Sequence, residues 1–265
     1  TNVEQFRKYF SEYEGENLEI GEWGVASVAS KQTEFHFTKI ISPLRNVDSL
    51  NEIIDYPFPD ITNKERYDFL YEKVRELHNK DLAVAGQPDL SIFEMSWHLR
   101  GYEEFLMDMY IHQDFVEYLL DEMTDIRIET IKKLIDADVD IITMGDDVAG
   151  QTGMLISPEL FRIWLKPRYE KMIKTAKSIK KNIPIFFHTD GNATDIVPDL
   201  IEVGVNILNP IQPECMDPYK IKEMYGDKIA LWGAVGIQKL LPFGTPKQIE
   251  EEVKKLINTL GRGGG

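Results

Sequence analysis

Short apolar runs that end in polar residues recur along this chain. Val139-Asp140-Ile141-Ile142-Thr143-Met144 leads into Gly145-Asp146-Asp147, and Ile183-Pro184-Ile185-Phe186-Phe187 leads into His188-Thr189-Asp190-Gly191. Val205-Asn206-Ile207-Leu208 leads into Asn209-Pro210-Ile211-Gln212-Pro213-Glu214-Cys215. A continuous apolar run of this length suits a strand buried on both faces, as in a parallel sheet. Leu82 to Gly86 and Lys228 to Trp232 read the same way, so five core strands are expected. Helical patterns separate them. The longest, over 113–137, carries Phe115, Leu119, Ile126, Leu134 and Ile135 on one face. Repeated strand–helix units imply an α/β sheet or barrel, with ligands at the carboxyl ends of the strands, where the polar residues sit.

The chain before residue 62 differs. Val3, Phe6 and Phe10 suggest a short helix over 3–13. Residues 20–29 and 33–41 look extended, with Phe35 and Phe37 alternating with His36 and Thr38, and Ser30-Lys31-Gln32 is the expected hairpin turn. Pro43, Pro57 and Pro59 mark 42–61 as an irregular connection. Thr62-Asn63-Lys64-Glu65 has the form of a capping box opening a helix to about Asn79. Ser157-Pro158, Asp217-Pro218 and Thr245-Pro246 each open a later helix, and Asn192 or Asp195 caps another. In the last helix Ile249, Val253, Leu256, Ile257 and Leu260 form the expected buried stripe. We expect one (β/α) barrel domain over 1–265, with 1–61 as helix, hairpin and connection outside its core.

A chain of 265 residues is long enough for such a barrel. A closed barrel needs eight strands, so the first and the closing strands are expected outside this sequence. The formal charge of −15, with no basic stripe, argues against nucleic acid as partner. The single cysteine, Cys215, excludes an internal disulfide and a cysteine-only zinc site, and fits a reducing, cytoplasmic setting. No apolar run is long enough to span a membrane.

The candidate chemistry lies at the strand ends. His188 is either a histidine bonded to a neighbouring loop or a ligand or proton donor. Asp190 is two residues on and points the same way along an extended segment, so the two could grip one ligand. Of Asp146 and Asp147, adjacent and on opposite faces, one is expected to look into the site as a general acid, unless both bind loop amides. Gln151 lies in the same loop and could orient a substrate. Glu94, Trp97, His98 and Arg100 form a further cluster, with Glu94 and His98 sharing a helix face. His188, Asp190 and Cys215 would be an acceptable ligand set for zinc with one position open.

At these residues the sequence resembles the uroporphyrinogen decarboxylase superfamily. The likeness runs through Phe93-Glu94 to Glu103, Gly145-Asp146-Asp147, Ser157-Pro158-Glu159, His188-Thr189-Asp190-Gly191-Asn192, Asn209 to Cys215, and Leu231-Trp232-Gly233. It implies a (β/α)8 TIM barrel, incomplete at both ends here, with a small-molecule substrate at the carboxyl face. True decarboxylases of this kind act without a cofactor and clamp substrate carboxylates with an arginine-rich amino-terminal segment. In this sequence Arg45 and Arg100 stand alone. The other branch moves methyl groups to or from a corrinoid protein, and many members hold zinc through a His-x-Cys pair and a later Cys. Here Asp190 stands where that cysteine would be. The resemblance therefore implies a corrinoid-linked methyltransferase, with decarboxylation or a non-catalytic corrinoid-protein-binding subunit as alternatives. His188, Asp190, Asp146 and Asp147 are the expected catalytic residues. Glu94, Trp97, Arg100, Gln151, Asn209, Gln212 and Glu214 are expected to bind substrate.

Overall fold

A computed structural model describes residues 3–13, 18–29, 38–88 and 92–265. Five parallel strands run in chain order across one sheet: β4 (Ala85–Gly86), β5 (Ile141–Gly145), β6 (Ile185–His188), β7 (Ile207–Asn209) and β8 (Ala230–Leu231). All four pairings are parallel. This is the arc of a (β/α) barrel, the architecture its apolar runs imply. A separate antiparallel sheet joins β1 (Glu19–Ile20), β2 (Ala26–Ala29) and β3 (Thr38–Ile41), with Ala26 opposite Ile41. That is the expected hairpin pairing. Its turn at Ser30-Lys31-Gln32 and the Phe35–Phe37 alternation lie outside the described residues.

The helices between the strands follow from their caps. Helix α1 (Leu50–Ile54) lies within the segment expected to be irregular and buries Ile53. Asn63, rather than Thr62, accepts the Glu65 N–H and opens the short 3-10 turn before α2 (Asp68–His78), while Thr62 donates to Asp60. Two helices, α3 (Ile92–Arg100) and α4 (Tyr102–Ile111), precede the long α5 (Gln113–Asp136). Ser157 caps α6 (Pro158–Leu160), which widens to a π turn over Phe161–Leu165 before α7 (Lys166–Ile179). Pro167 has no N–H to return to the carbonyl four residues back, so the helix must loosen there. Asn192 accepts from Thr194 at the start of the turn into α8 (Val197–Val203). Asp217 caps α9 (Pro218–Tyr225); α10 (Leu240–Phe243) is short, and a Thr245–Gln248 capping box starts α11 (Pro246–Thr259). On α11 only Leu256 is fully withdrawn, whereas Ile257 is 64% exposed, so the expected stripe is half realised.

Burial alternates along the strands. Ile142, Met144, Ile185, Phe187 and Leu208 are buried toward the helices, while Ile141, Thr143, Phe186 and Ile207 face the inside of the arc and stay half-open. Phe6, Phe10, Ala26, Ile41 and Leu44 join the same continuous core.

Arg100 belongs to that core. It is 6% exposed, and its Nε donates to Asp108 at 2.6 Å while Nη1 donates to the Leu44 carbonyl at 2.6 Å. The guanidinium also lies over the Phe115 ring. A pair this enclosed holds α3, α4 and the Leu44 turn together. The expectation that Arg100 meets substrate is corrected: its Nε and Nη1 donors are taken up by Asp108 and by the Leu44 and Arg45 carbonyls. Removing one member strands the other charge. Arg100→Ala and Asp108→Ala should each lower unfolding free energy by about 3–5 kcal/mol in urea titration, and the double variant by less than their sum. A change below about 0.5 kcal/mol for either would contradict this role.

Candidate active site at the carboxyl ends of the strands

Strand register sets the site. Gly145 pairs with His188 and His188 with Asn209, so these three stand side by side at the carboxyl ends of β5, β6 and β7. A Cβ on Gly145 would come within 2.8 Å of the His188 Cβ and carbonyl, so only glycine admits this close approach. Beyond His188 the chain turns at Gly191, whose φ of +82° and contact with the Ala149 and Gly150 carbonyls exclude a side chain. That turn leaves Asp190 facing Asp147.

Asp146 and Asp147 part as alternation requires. Asp146 is 0% exposed, and its carboxylate accepts from the Ile92, Phe93 and Glu94 N–H groups at 3.0, 3.1 and 2.8 Å and from the Tyr169 hydroxyl at 2.6 Å. It is the anionic cap of α3, where a helix start favours negative charge. Burial pushes its pKa up to about 6, against these four hydrogen bonds. The expected catalytic role does not fit Asp146, which is fully buried and engaged by four donors. Asp147 does face the site. Its Oδ1 accepts from Asp190 N at 2.8 Å and lies 3.8 Å from His188 Nε2.

Asp147, His188 and Asp190 each offer a ligand atom within 4.8 Å of the others. Cys215 is not part of that group, so the expected set of His188, Asp190 and Cys215 is corrected, with Asp147 in place of the thiol. Cys215 stays half-buried, and burial first, then Glu214 and Asp190, push its thiol pKa up, which disfavours thiolate. Burial also raises the Asp190 carboxyl, helped by the charge on Asp147.

A cavity of about 470 Å³ opens beside His188. Its polar wall is Gln87, Glu94 and His188; its apolar floor includes Ile141, Phe186 and Trp232, the last two rings meeting edge-on at 5.5 Å. Glu94 is placed there by Asp146, which holds its backbone N–H, while its own Oε2 accepts from Asp147 N at 3.2 Å. Desolvation first, then Asp146 and Asp147, lift Glu94 to about 7.

The other expected residues serve the rim or the frame. Trp97 stacks on His98 at 3.8 Å and meets Tyr102 edge-on, outside the cavity wall. Gln212 is buried and accepts from Gly191 N, fixing the loop that carries Asp190. Glu214 accepts from the Gln238 and Lys239 N–H groups, and Gln151 bonds both the Glu214 carbonyl and Gln238. Those three residues tie the loops after β5, β7 and β8. Sequence reasoning passed over Tyr169, which nothing in its helix distinguishes, and gave Trp232 no role, although its place at a strand end was a signal.

Glu94 makes stability pH-dependent. Its folded pKa, about 7, lies above the unfolded value near 4.5, so the folded state keeps its proton longer. The stability present below pH 4.5 is therefore lost as pH rises through 7. Relative to Glu94→Gln, the wild type should lose up to about 2 kcal/mol between pH 5 and 8 in urea unfolding; parallel profiles would contradict the placement. Asp146→Asn turns an amide toward four donors and should cost at least about 2 kcal/mol at pH 7. An unchanged urea midpoint would show that the cap is dispensable.

Comparison with known proteins identifies the family. Residues 33–265 match the family model described as uroporphyrinogen decarboxylase (URO-D). The methylcobamide:CoM methyltransferase MtaA of Methanosarcina barkeri is 25% identical over 181 residues, 68% of this chain and 51% of that protein. The uroporphyrinogen decarboxylase of Salinibacter ruber is 23% identical over 153 residues, 58% of this chain and 41% of that protein. The chain thus spans about half the length of the curated relatives it matches. A methyltransferase from Methanosarcina mazei superposes with a TM-score of 0.68 at 22% identity, covering 94% of this chain and 68% of that one, which supports the fold. Among the described residues no helix is long and apolar enough to cross a membrane. The family match spans the whole described barrel arc, and the chain belongs to the uroporphyrinogen decarboxylase family.

Proposed function

We propose that this chain transfers a methyl group from a small, uncharged methylated or methoxylated donor to the corrinoid of a partner protein. The observation that carries the reading is the charge of the cavity. Glu94 lines it, Asp147 and Asp190 stand beside His188, and no lysine or arginine is among its described lining residues. A porphyrinogen bearing many carboxylates needs cationic partners and would be repelled here. A neutral methyl ether meets no such repulsion, and the Phe186–Trp232 floor suits its apolar body. The related methyltransferase of Methanosarcina barkeri, named for a methylcobamide, favours a corrinoid as the other reactant.

In the transfer, the methyl carbon leaves its oxygen for the electron pair of the reduced corrinoid cobalt. The carbon–oxygen pair stays on oxygen, which then needs a proton. Glu94, with its pKa near 7, is matched to give that proton at neutral pH. Asp147, His188 and Asp190 fit a divalent cation by their donor chemistry, and such a cation, when bound, supplies Lewis acidity toward the donor oxygen. A cytoplasmic setting follows the same reading, since a reduced corrinoid requires reducing surroundings.

Adding cob(I)alamin and methanol or a methoxylated arene to the chain should convert the cob(I)alamin spectrum to that of methylcob(III)alamin. His188→Ala should slow this by about 100-fold or more. Carbon dioxide release from a porphyrinogen without corrinoid, and no methylation, would favour decarboxylation. No turnover of either kind, with wild-type behaviour in His188→Ala, would favour a binding subunit.

A further inference from the structure

We infer that Asn209 is a positioning residue that fixes the tautomer of His188, so that His188 Nε2, Asp147 and Asp190 together hold a divalent cation with no thiolate ligand. This rests on the methyl-transfer reading for its choice of cavity. It goes beyond it by naming the ligand atoms, the residue that aims them and the class of metal.

Hydrogen-bond bookkeeping carries the argument. Asn209 Nδ2 donates to the Trp232 carbonyl at 2.8 Å, which can only accept. The amide is thereby oriented with Oδ1 toward His188, whose Nδ1 lies 2.6 Å away. Oδ1 can only accept, so Nδ1 carries the hydrogen. In the neutral ring the lone pair is then on Nε2. That atom is 3.8 Å from Asp147 Oδ1, too far for a hydrogen bond but within the span of two atoms sharing one ion at bonds of about 2.1 Å. A ligating histidine characteristically gives its second ring N–H to an oxygen that holds the ring in place. Here that oxygen comes from β7 and is itself held by a carbonyl just beyond β8, so three successive strands aim one imidazole.

The donor set then selects the metal. Two carboxylates and one imidazole are oxygen and nitrogen donors, which suit Mn²⁺, Co²⁺ or Zn²⁺ with open positions left for water or substrate. The cysteine of the His-x-Cys pattern is replaced by Asp190, and Cys215 lies outside the group. A site of this kind has oxygen and nitrogen donors and no soft thiolate. It suits the oxygen of a methyl donor.

Metal binding itself tests this, without turnover. The apo chain is titrated with Co²⁺ and followed in the visible and near-ultraviolet, with Mn²⁺ binding followed in parallel by electron paramagnetic resonance. We expect one site per chain, with cobalt d–d bands and no sulfur-to-cobalt charge-transfer band. Cys215→Ser should leave spectrum and affinity unchanged. Asn209→Ala should weaken Co²⁺ binding about 10- to 100-fold, and Asn209→Asp, which retains an acceptor for Nδ1, should restore most of it. A charge-transfer band lost in Cys215→Ser would overturn the inference. So would failure of the wild type to bind either metal at millimolar concentration, or wild-type affinity in folded Asn209→Ala. Should Asn209→Ala fail to fold, the nitrogen-15 NMR shifts of His188 in the wild type decide the tautomer directly: Nε2–H in the neutral ring would overturn it. Metal bound as described with no methylation of cob(I)alamin would refute the methyl-transfer reading and leave this assignment standing.

Discussion

One buried carboxylate holds the site together. Asp146 sits at the end of β5 with no exposure and takes four hydrogen bonds, three from the first turn of α3 and one from Tyr169 on α7. A carboxylate deprived of water is costly unless hydrogen bonds replace those of water, and here four do. The bonds fix the start of α3 against the strand end. They thereby set Glu94, whose own N–H is one of the donors, at the cavity wall. Glu94 in turn accepts from the N–H of Asp147. The two segments clasp each other reciprocally, so the acid in the cavity and the carboxylate beside His188 cannot shift independently.

Strand alternation does the rest. Because successive side chains face opposite ways, Asp146 and Asp147 are sent to different environments by one step along the chain. The same rule sends Phe187 into the helical layer and leaves Phe186 and His188 in the cavity. Parallel pairing then places His188 beside Asn209, and the polar residue of each strand end becomes a neighbour of the next. Distant loops meet because the register is shared, which is why a group of ligands can be assembled with no short sequence motif.

Much of this was legible in the residues. The strand order, the long α5, the caps at Ser157, Asp217 and Thr245, and the placing of His188, Asp190 and Asp147 at one end all follow from periodicity and capping chemistry. Arg100 and Cys215 did not. Whether a guanidinium faces substrate or a buried aspartate depends on Asp108 and on the Leu44 carbonyl, 56 residues away, and no local pattern reports such a partner. Cys215 sits near the mouth in sequence, yet the turn after β7 leaves it outside the group formed by Asp147, His188 and Asp190. Gln212 and Glu214 likewise have the right location, but Gln212 Oε1 accepts from Gly191 N and Glu214 Oε1 from the Gln238 and Lys239 N–H groups. Periodicity reports which face a side chain takes; it does not report what already occupies its hydrogen-bonding capacity.

That capacity separates structural from chemical carboxylates here. Asp146 is withdrawn from solvent and engaged by four donors. Glu214 is bound to the loop beyond β8 through one oxygen. Asp147 and Asp190 stand apart from both. Asp147 accepts from Asp190 N, which leaves its other oxygen and most of its lone pairs open, and Asp190 gains a raised pKa from burial and from Asp147 itself. Two like charges at close range with Glu94 beside them repel, and each carboxyl that the fold desolvates raises the cost. A fold that holds this repulsion among half-buried groups favours whatever positive charge relieves it. A proton does so in part, on Glu94 near neutral pH. A divalent cation would do so for the whole group at once, and the imidazole, aimed from the third side, adds a ligand atom without adding negative charge.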